Sequence, residues 1–419
     1  MASQKIKCAR ACTQYRRSSP PYGPCGASGL VCAIAAVLLL AGCQLPVSKP
    51  DYDRPLPPGT FGLRKIINPA QLPDLSPLIS QLHDPSFREA QQHSLRWFGI
   101  KSTQQFFPIG PIHHEHAHAS VYALGQIQSL DELLTEFDVW ESVGWNGSGE
   151  VLYTGYYSPR FRGSLTPTDR YAHPLYQRPP DLVTDPITGK VIGTPYPSRS
   201  KLENSGKLKG LELVYLPSAL DAYIVHVNGS AQITLTDGRV IHVGYAGTNG
   251  HKYTSIGQLM VKDGRLDASR MSLSAIRSYF HAHPDQLSRY INQNDRFVFF
   301  REYDGNGWPA GSLGFQVTPM RTLATDKGIF PRGCAVFVKT TFPTPTGGRS
   351  TLSQLMMDQD TGGAIRAAGR ADIYVGIGSQ AEQIAGRQAA KGRLYYLLLK
   401  EHRLPFWLNK MADGELARK

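Results

Sequence analysis

The sequence predicts a mainly β protein with its helices gathered towards the N-terminus. Composition points there first: of 419 residues, 41 are Gly and 30 Pro, with 20 Tyr and 16 Phe, as expected for many short strands joined by tight turns. The second observation is a change of period. Up to about residue 142 apolar residues recur every three or four positions, and from about residue 150 they alternate. The third is the ordinary balance of 41% hydrophobic and 19% charged residues. It describes a chain that folds over most of its length and suffices for two or three domains.

Residues 1–30 carry Lys5, Lys7, Arg10, Arg16 and Arg17 and no acid, and then "GLVCAIAAVLLLAGC" runs to Cys43. A basic region, a short apolar core and small residues make a secretory signal, and the run is short for a bilayer span. Leu40-Ala41-Gly42-Cys43 resembles the bacterial lipobox, which makes Cys43 the expected lipidation site. Gln44 after it favours the outer membrane. Without residues 1–43 the formal charge falls from +12 to +7. The excess favours a polyanionic partner; export argues for cell wall or lipid head groups and against nucleic acid. Cys8, Cys12, Cys25 and Cys32 lie in the signal, leaving Cys334 without a partner for a disulfide or a cysteine zinc site.

Residues 44–60, "QLPVSKPDYDRPLPPGT", read as a flexible tether. Helical spacing covers 71–110 and 120–142, and Ser129 with Glu132 forms a capping box at the start of "SLDELLTEFDVWESV". "VLYTGYYSP" is a strand that ends in a turn. "DAYIVHVNGSAQITLTDGRVIHVGYAG" reads as two or three strands, with a hairpin at Thr236-Asp237-Gly238. A helix over 272–291 is broken at Pro284. "RFVFFRE", "CAVFVKTTF", "SQLMMDQD", "ADIYVGIG" and "RLYYLLLK" follow as strands, with one helix at 380–390.

Two aspartates stand out in "QDTGGAIRAAGRADIYVGIGSQ". Asp360-Thr361-Gly362 matches the aspartic protease tripeptide, but no second copy exists to complete a carboxylate pair. Ahead of Gly362-Gly363, Asp360 equally suits an Asx turn. Asp372 opens an apolar strand among aromatics. Desolvation there raises a carboxyl pKa and lets it hold a proton near neutrality, although a lone Asp at a strand end also serves structure alone. His113, His114, Glu115, His116 and His118 alternate as on a strand or loop, with no downstream ligand to complete a metal site. No metal or other cofactor is expected.

Seven ordered blocks carry a wider resemblance: "TGYYSP" (154–159), "HPLYQRPP" (173–180), "VNGSAQITLTDG" (227–238), "YAGTNGHKYTSIG" (245–257), "NDRFVFFRE" (294–302), "TPMRTLATDKGIFPRG" (318–333) and "QDTGGAIRAAGRADIYVGIG" (359–378). Together they resemble the membrane-bound lytic murein transglycosylase A family. The resemblance implies a double-psi β-barrel catalytic domain with an inserted second β-domain and a glycan groove between them. The expected boundaries are signal 1–43, tether 44–60, catalytic domain 61–161 with 297–419, and insert 162–296.

It further implies cleavage of the β-1,4 bond between N-acetylmuramic acid and N-acetylglucosamine without water, leaving a 1,6-anhydromuramyl end. Asp372 falls on the family's acid/base position, and Asp360 and Asp326 on its two other aspartates. Asp360 is expected to support Asp372, and Asp326 to orient substrate or hold structure. Thr154, Tyr156, Tyr157, Gly229 and Ser230 become candidate sugar contacts, with at least one of the two tyrosines turned to the core because neighbours on a strand face opposite ways. The expected partners are peptidoglycan glycan strands and, through the lipid, the periplasmic face of the outer membrane. A monomer is the default. The alternatives are a glycan hydrolase that uses water and a second Asp, and a non-catalytic wall-binding lipoprotein.

Overall fold

The computed structural model describes residues 50–185, 189–268, 271–303, 307–344 and 347–416. The signal segment and Cys43 lie outside these residues. In chain order the strands are β1 (Leu63–Lys65), β2 (Phe137–Ser142), β3 (Val151–Ser158), β4 (Arg160–Gly163), β5 (His173–Tyr176), β6 (Glu212–Leu216), β7 (Ser230–Leu235), β8 (Val240–Thr248), β9 (Val298–Tyr303), β10 (Thr322–Ala324), β11 (Ala335–Pro343), β12 (Arg349–Asp360), β13 (Arg370–Ile377) and β14 (Ala389–Leu399). The α-helices are α1 (Ser76–Leu82), α2 (Pro85–Phe98), α3 (His114–Leu124), α4 (Leu130–Glu136), α5 (Arg199–Asn204), α6 (Ala219–Asn228), α7 (Ile256–Lys262), α8 (Leu273–Ala282), α9 (Leu287–Ile291), α10 (Ser379–Arg387) and α11 (Leu404–Leu416).

Six strands close into a barrel in the order β3-β13-β10-β12-β11-β14, with β14 returning to β3. The neighbours β13/β3 and β10/β12 are parallel and the other four contacts antiparallel. A closed barrel is what the family resemblance implies. Ala335, Val336, Phe337 and Val338 of β11 are all buried, as are Leu394 to Leu399 of β14. Unbroken burial replaces alternation because one face fills the barrel and the other lies under helices. Strand β14 pairs with β3 over its first half and with β11 and β2 over its second. Gly392 sits at that crossing, where a Cβ would run into the Lys339 carbonyl and the Tyr153 ring.

A second sheet has the order β4-β7-β8-β9, and β5 and β6 form a separate pair. The sheet reaches past the expected insert limits of 162 and 296, to β4 at one end and β9 at the other. Its core includes Leu175, Val214, Val225, Ile233, Val243 and Phe300. Thr236-Asp237-Gly238 makes the predicted hairpin, with the Leu235 amide donating to the Arg239 carbonyl.

Four local expectations need correction. "DAYIVHVN" is helix α6, not strand. Its β-branched residues suggest a strand, but Ser218 caps its start by accepting from the Asp221 amide at 3.0 Å, and Gly229 ends it at φ +76°. "FDVWES" is strand β2, not helix. The capping box at Ser129 does start a helix, but it ends at Glu136, where alternating Phe137 and Val139 take over against β14. The histidine run forms the start of helix α3, not a solvated strand or loop. His114 Nε2 meets Thr103 Oγ1 at 2.9 Å, His116 Nε2 meets the Leu399 carbonyl at 2.7 Å, and His118 stacks on Phe98. These imidazoles are packing residues. Finally, the expected tether is docked from Tyr52 onwards, since the Tyr52 hydroxyl donates to Glu150 at 2.7 Å and its ring meets Trp145 edge-on.

Candidate active site

Asp372 is the third residue of β13. Thr154 of β3 pairs with it on one side and Ala324 of β10 on the other. Ala324 also pairs with Asp360, the last residue of β12. The two aspartates therefore flank one short strand, two strand spacings or about 10 Å apart at Cα.

Their environments differ. Asp360 is surrounded by donors: Oδ2 accepts from the Tyr156 hydroxyl at 2.7 Å, and Oδ1 from the amides of Thr361 and Ser312 at 2.8 and 2.9 Å. Burial raises its pKa, while these donors and the charge of Lys327 pull it back. The neighbouring Gln359 fixes the strand end, donating to the Ala90 carbonyl at 2.6 Å and to Ser94 Oγ at 2.9 Å on α2. Asp372 has a buried Oδ1 with no hydrogen-bond partner. Burial pushes its pKa up to about 7, the Thr154 hydroxyl and Arg370 hold it down, and Asp360 raises it further. Burial thus raises both carboxyls, with donors countering the rise at Asp360 and one oxygen left bare at Asp372, which is placed to carry a proton near neutral pH, the pattern of acid/base sites.

Tyr156 joins this group through Asp360, and its ring packs 5.1 Å from that of Tyr374. The Tyr374 hydroxyl meets Ser158 Oγ at 3.2 Å, which meets Ser230 Oγ at 3.3 Å, so hydroxyls run from the barrel to the second sheet. Of the expected site residues, the fold gathers Asp372, Asp360, Thr154 and Tyr156, with Ser230 at the end of this chain. Tyr157 turns away. It is buried against Ala381 and Ala385 of α10, and its hydroxyl donates to Glu382 at 2.9 Å. Gly229 caps α6, its left-handed backbone serving the helix end. Asp326 ties two loops together, accepting from the Gly328 and Ala367 amides at 3.0 and 2.9 Å.

Sequence reasoning missed a buried ion pair beneath Asp360. Lys327 Nζ contacts the Asp358 carboxylate and also donates to Thr325 Oγ1 at 3.1 Å. Asp358 accepts from Thr325 Oγ1 and from the Tyr396 hydroxyl, each at 2.8 Å. Asp358 is fully buried and Lys327 nearly so. The available signal was a charged residue inside "LMMDQD", since a buried charge requires a partner. Cys334, a buried free thiol, lies beside this pair. Among the described residues no helix is long and apolar enough to cross a membrane.

A barrel carrying two unlike carboxylates beside a second sheet agrees with two family matches. The MltA specific insert domain covers residues 152–301 and the 3D domain residues 321–398. The membrane-bound lytic murein transglycosylase A of Escherichia coli is 31% identical over 265 residues, 62% of this chain and 69% of that protein. Its Vibrio cholerae counterpart is 30% identical over 261 residues, 61% and 68% of the two chains. Among solved structures, MltA from Neisseria gonorrhoeae has a TM-score of 0.59 at 27% identity, covering 84% of this chain and 97% of that one. E. coli MltA with bound chitohexaose has a TM-score of 0.62 at 24% identity, covering 84% and 96%, which bears on the fold alone. These features define a barrel enzyme that carries an inserted domain. The chain belongs to the membrane-bound lytic murein transglycosylase A family.

Proposed function

We propose that this protein cleaves the β-1,4 bond between N-acetylmuramic acid and N-acetylglucosamine in peptidoglycan without water, with Asp372 as the single acid and base. The observation that carries this reading is the desolvated Asp372 carboxyl, with one buried oxygen free of partners and a pKa near 7. Protonated, Asp372 gives its hydrogen to the glycosidic oxygen as the bond to the muramyl C1 breaks. The C6 hydroxyl oxygen of the same sugar closes on C1, and the Asp372 carboxylate takes that hydroxyl's proton. The proton count returns to its start and the product is a 1,6-anhydro ring. Attack within one residue removes most of the entropy cost that a second carboxylate and a water would otherwise have to meet.

In this scheme Asp360 stays ionised and raises Asp372 by like charge, with Tyr156 holding it in place. The hydrolytic alternative needs Asp360 as base for a water, yet its oxygens are already engaged by three donors. Thr154 and Ser230 line the approach, and the second sheet forms the other wall of the glycan groove. We assign the insert to residues from β4 to β9 and the catalytic part to the barrel with its N-terminal helices. Cys43 is the proposed lipid anchor, holding the protein as a monomer at the periplasmic face of an outer membrane.

Incubation of purified protein with sacculi, followed by mass spectrometry of the soluble products, tests the reading. Anhydro ends, lighter than reducing ends by one water, are expected. Asp372→Asn should keep sacculus binding and release no muropeptides. Reducing ends would point to hydrolysis, and normal release by the variant would remove Asp372 from the role. A wild type that binds and releases nothing would leave a wall-binding lipoprotein.

A further inference from the structure

Opposite the loop that joins Asp360 to Asp372, Arg296 lies against Gly363 and Arg178 against Gly247 of β8, and with Arg366 their charges act on one tyrosine. Tyr245 lies on β8 where its register against β9 shifts, and is 45% exposed. Protein around its hydroxyl raises the pKa, while Arg296, Arg178 and Arg366 lower it. Arg296 stands two residues ahead of β9 and is half-buried. Its guanidinium lies against Gly363, where an added Cβ would sit 3.3 Å from Cζ. Arg366 belongs to the same barrel loop as Gly363. Arg178 follows β5 and donates to the Leu182 carbonyl at 2.7 Å and Thr184 Oγ1 at 2.9 Å.

These cations are poorly matched. Among the described residues no carboxylate bonds to Arg296 or Arg178. Arg366 reaches Asp326 only at 3.8 Å, and both Asp326 oxygens already accept backbone amides. Burial and the nearby Arg366 both disfavour the charged form of Arg296. Such an arrangement is costly while empty and becomes favourable when an anion enters. It also straddles the two walls, with Arg366 on the barrel loop, Arg296 just ahead of β9 and Arg178 packed against Gly247 of β8.

We propose that Arg296, with Arg178 and Arg366, binds a carboxylate of the peptide carried by the muramyl residue in the groove. This rests on the function proposed above. The glycosidically linked N-acetyl sugars are neutral once the muramyl lactyl carboxyl is amide-bonded to the peptide, so the charge complementary to the trio must come from the peptide. A planar guanidinium grips a carboxylate through two parallel hydrogen bonds, which orients as well as attracts. Binding on both walls beside Gly363 would set the position of the muramyl residue relative to Asp372.

The test uses a disaccharide peptide, N-acetylglucosaminyl-N-acetylmuramyl-peptide. It has no bond of the cleavable kind, so affinity is read in active protein without turnover. Its affinity is compared by calorimetry with that of the same compound after its peptide carboxylates are converted to amides. Wild type should prefer the charged form by roughly tenfold, one charge-assisted pair, and Arg296→Gln should bring that ratio to about one. Arg296→Lys, which keeps the charge and loses the fork, should fall between. Should Arg296→Gln fail to fold, Arg366→Gln on the exposed loop carries the same comparison. A wild-type ratio of one, or a ratio unchanged in the Gln variant, overturns the proposal. Absence of anhydro products from sacculi would instead sink the parent reading, and this affinity ratio does not depend on it.

Discussion

Replacing Asp372 with Asn tests the proton-holding claim through stability, independently of turnover. Burial chiefly moves this carboxyl from an ordinary pKa of 3.8 up to about 7. Between those values the unfolded chain has released the proton and the folded chain still holds it. Stability contributed by this group therefore falls as pH rises, and the fall is complete just above 7. Each pH unit in the window is worth about 1.4 kcal/mol for a full proton difference. From about pH 5 to about pH 8 the ceiling is roughly 2.7 kcal/mol, since only the two units below 7 count. Asp372 keeps some contact with water, so the expected figure is about 1–2 kcal/mol. Asparagine has no proton to lose. Urea unfolding of both proteins across this range should show the variant gaining about 1–2 kcal/mol on the wild type as pH rises. Taking the difference removes carboxylates common to both, apart from the coupling to Asp360. Parallel curves would refute the reasoning, because they would mean that Asp372 ionises like an ordinary surface carboxyl and arrives at neutral pH with no proton to give.

Tyr156→Phe removes the hydroxyl that donates to Asp360. Turnover of sacculi should drop roughly tenfold to a hundredfold, the worth of a hydrogen bond to a charged group. The alkaline limb of the kcat/KM profile should also move to lower pH, because a less firmly ionised Asp360 raises Asp372 less. A pH profile that stays in place would limit Tyr156 to packing. Lys327→Met leaves Asp358 buried and unpaired and should cost about 3–5 kcal/mol in denaturant unfolding. The double variant Lys327→Met with Asp358→Leu should recover most of that loss; no recovery would mean that Lys327 acts through something other than the pair.

Five of the six barrel strands were readable because each is a short apolar run bounded by Gly or Pro, whereas β10, three residues long, was missed; Asp372 at the mouth of one of them invited attention on desolvation alone. Its pairing with Asp360 across Ala324 was not readable, since a parallel β10/β12 contact joins residues far apart in the chain and only the family resemblance linked the two. Strand β2 and helix α6 were misread for opposite reasons. "FDVWES" follows a well-capped helix without a Gly or Pro to end it, and "DAYIVHVN" is β-branched enough to hide caps that lie outside it. The Lys327–Asp358 pair escaped because Lys327 sits in the turn after β10 while Asp358 lies on β12, far along the chain, and each alone resembles a surface residue. The histidines of α3 show the converse error: their alternation suggested a strand or loop, yet they open a helix, and their partners are a hydroxyl, a carbonyl and a phenyl ring.

The ring of six strands has no free edge. Thr154, Asp372, Ala324 and Asp360 stand side by side across four contiguous staves of it, so the gap between the two acids cannot open or close without many backbone hydrogen bonds yielding together. Any adjustment to a thicker, shorter or differently decorated strand must fall to the rim: the stretch that brings Ser312 to Asp360, the 361–369 loop and the facing sheet. Changes in substrate preference can therefore accumulate in those borders while the proton-carrying hardware stays fixed.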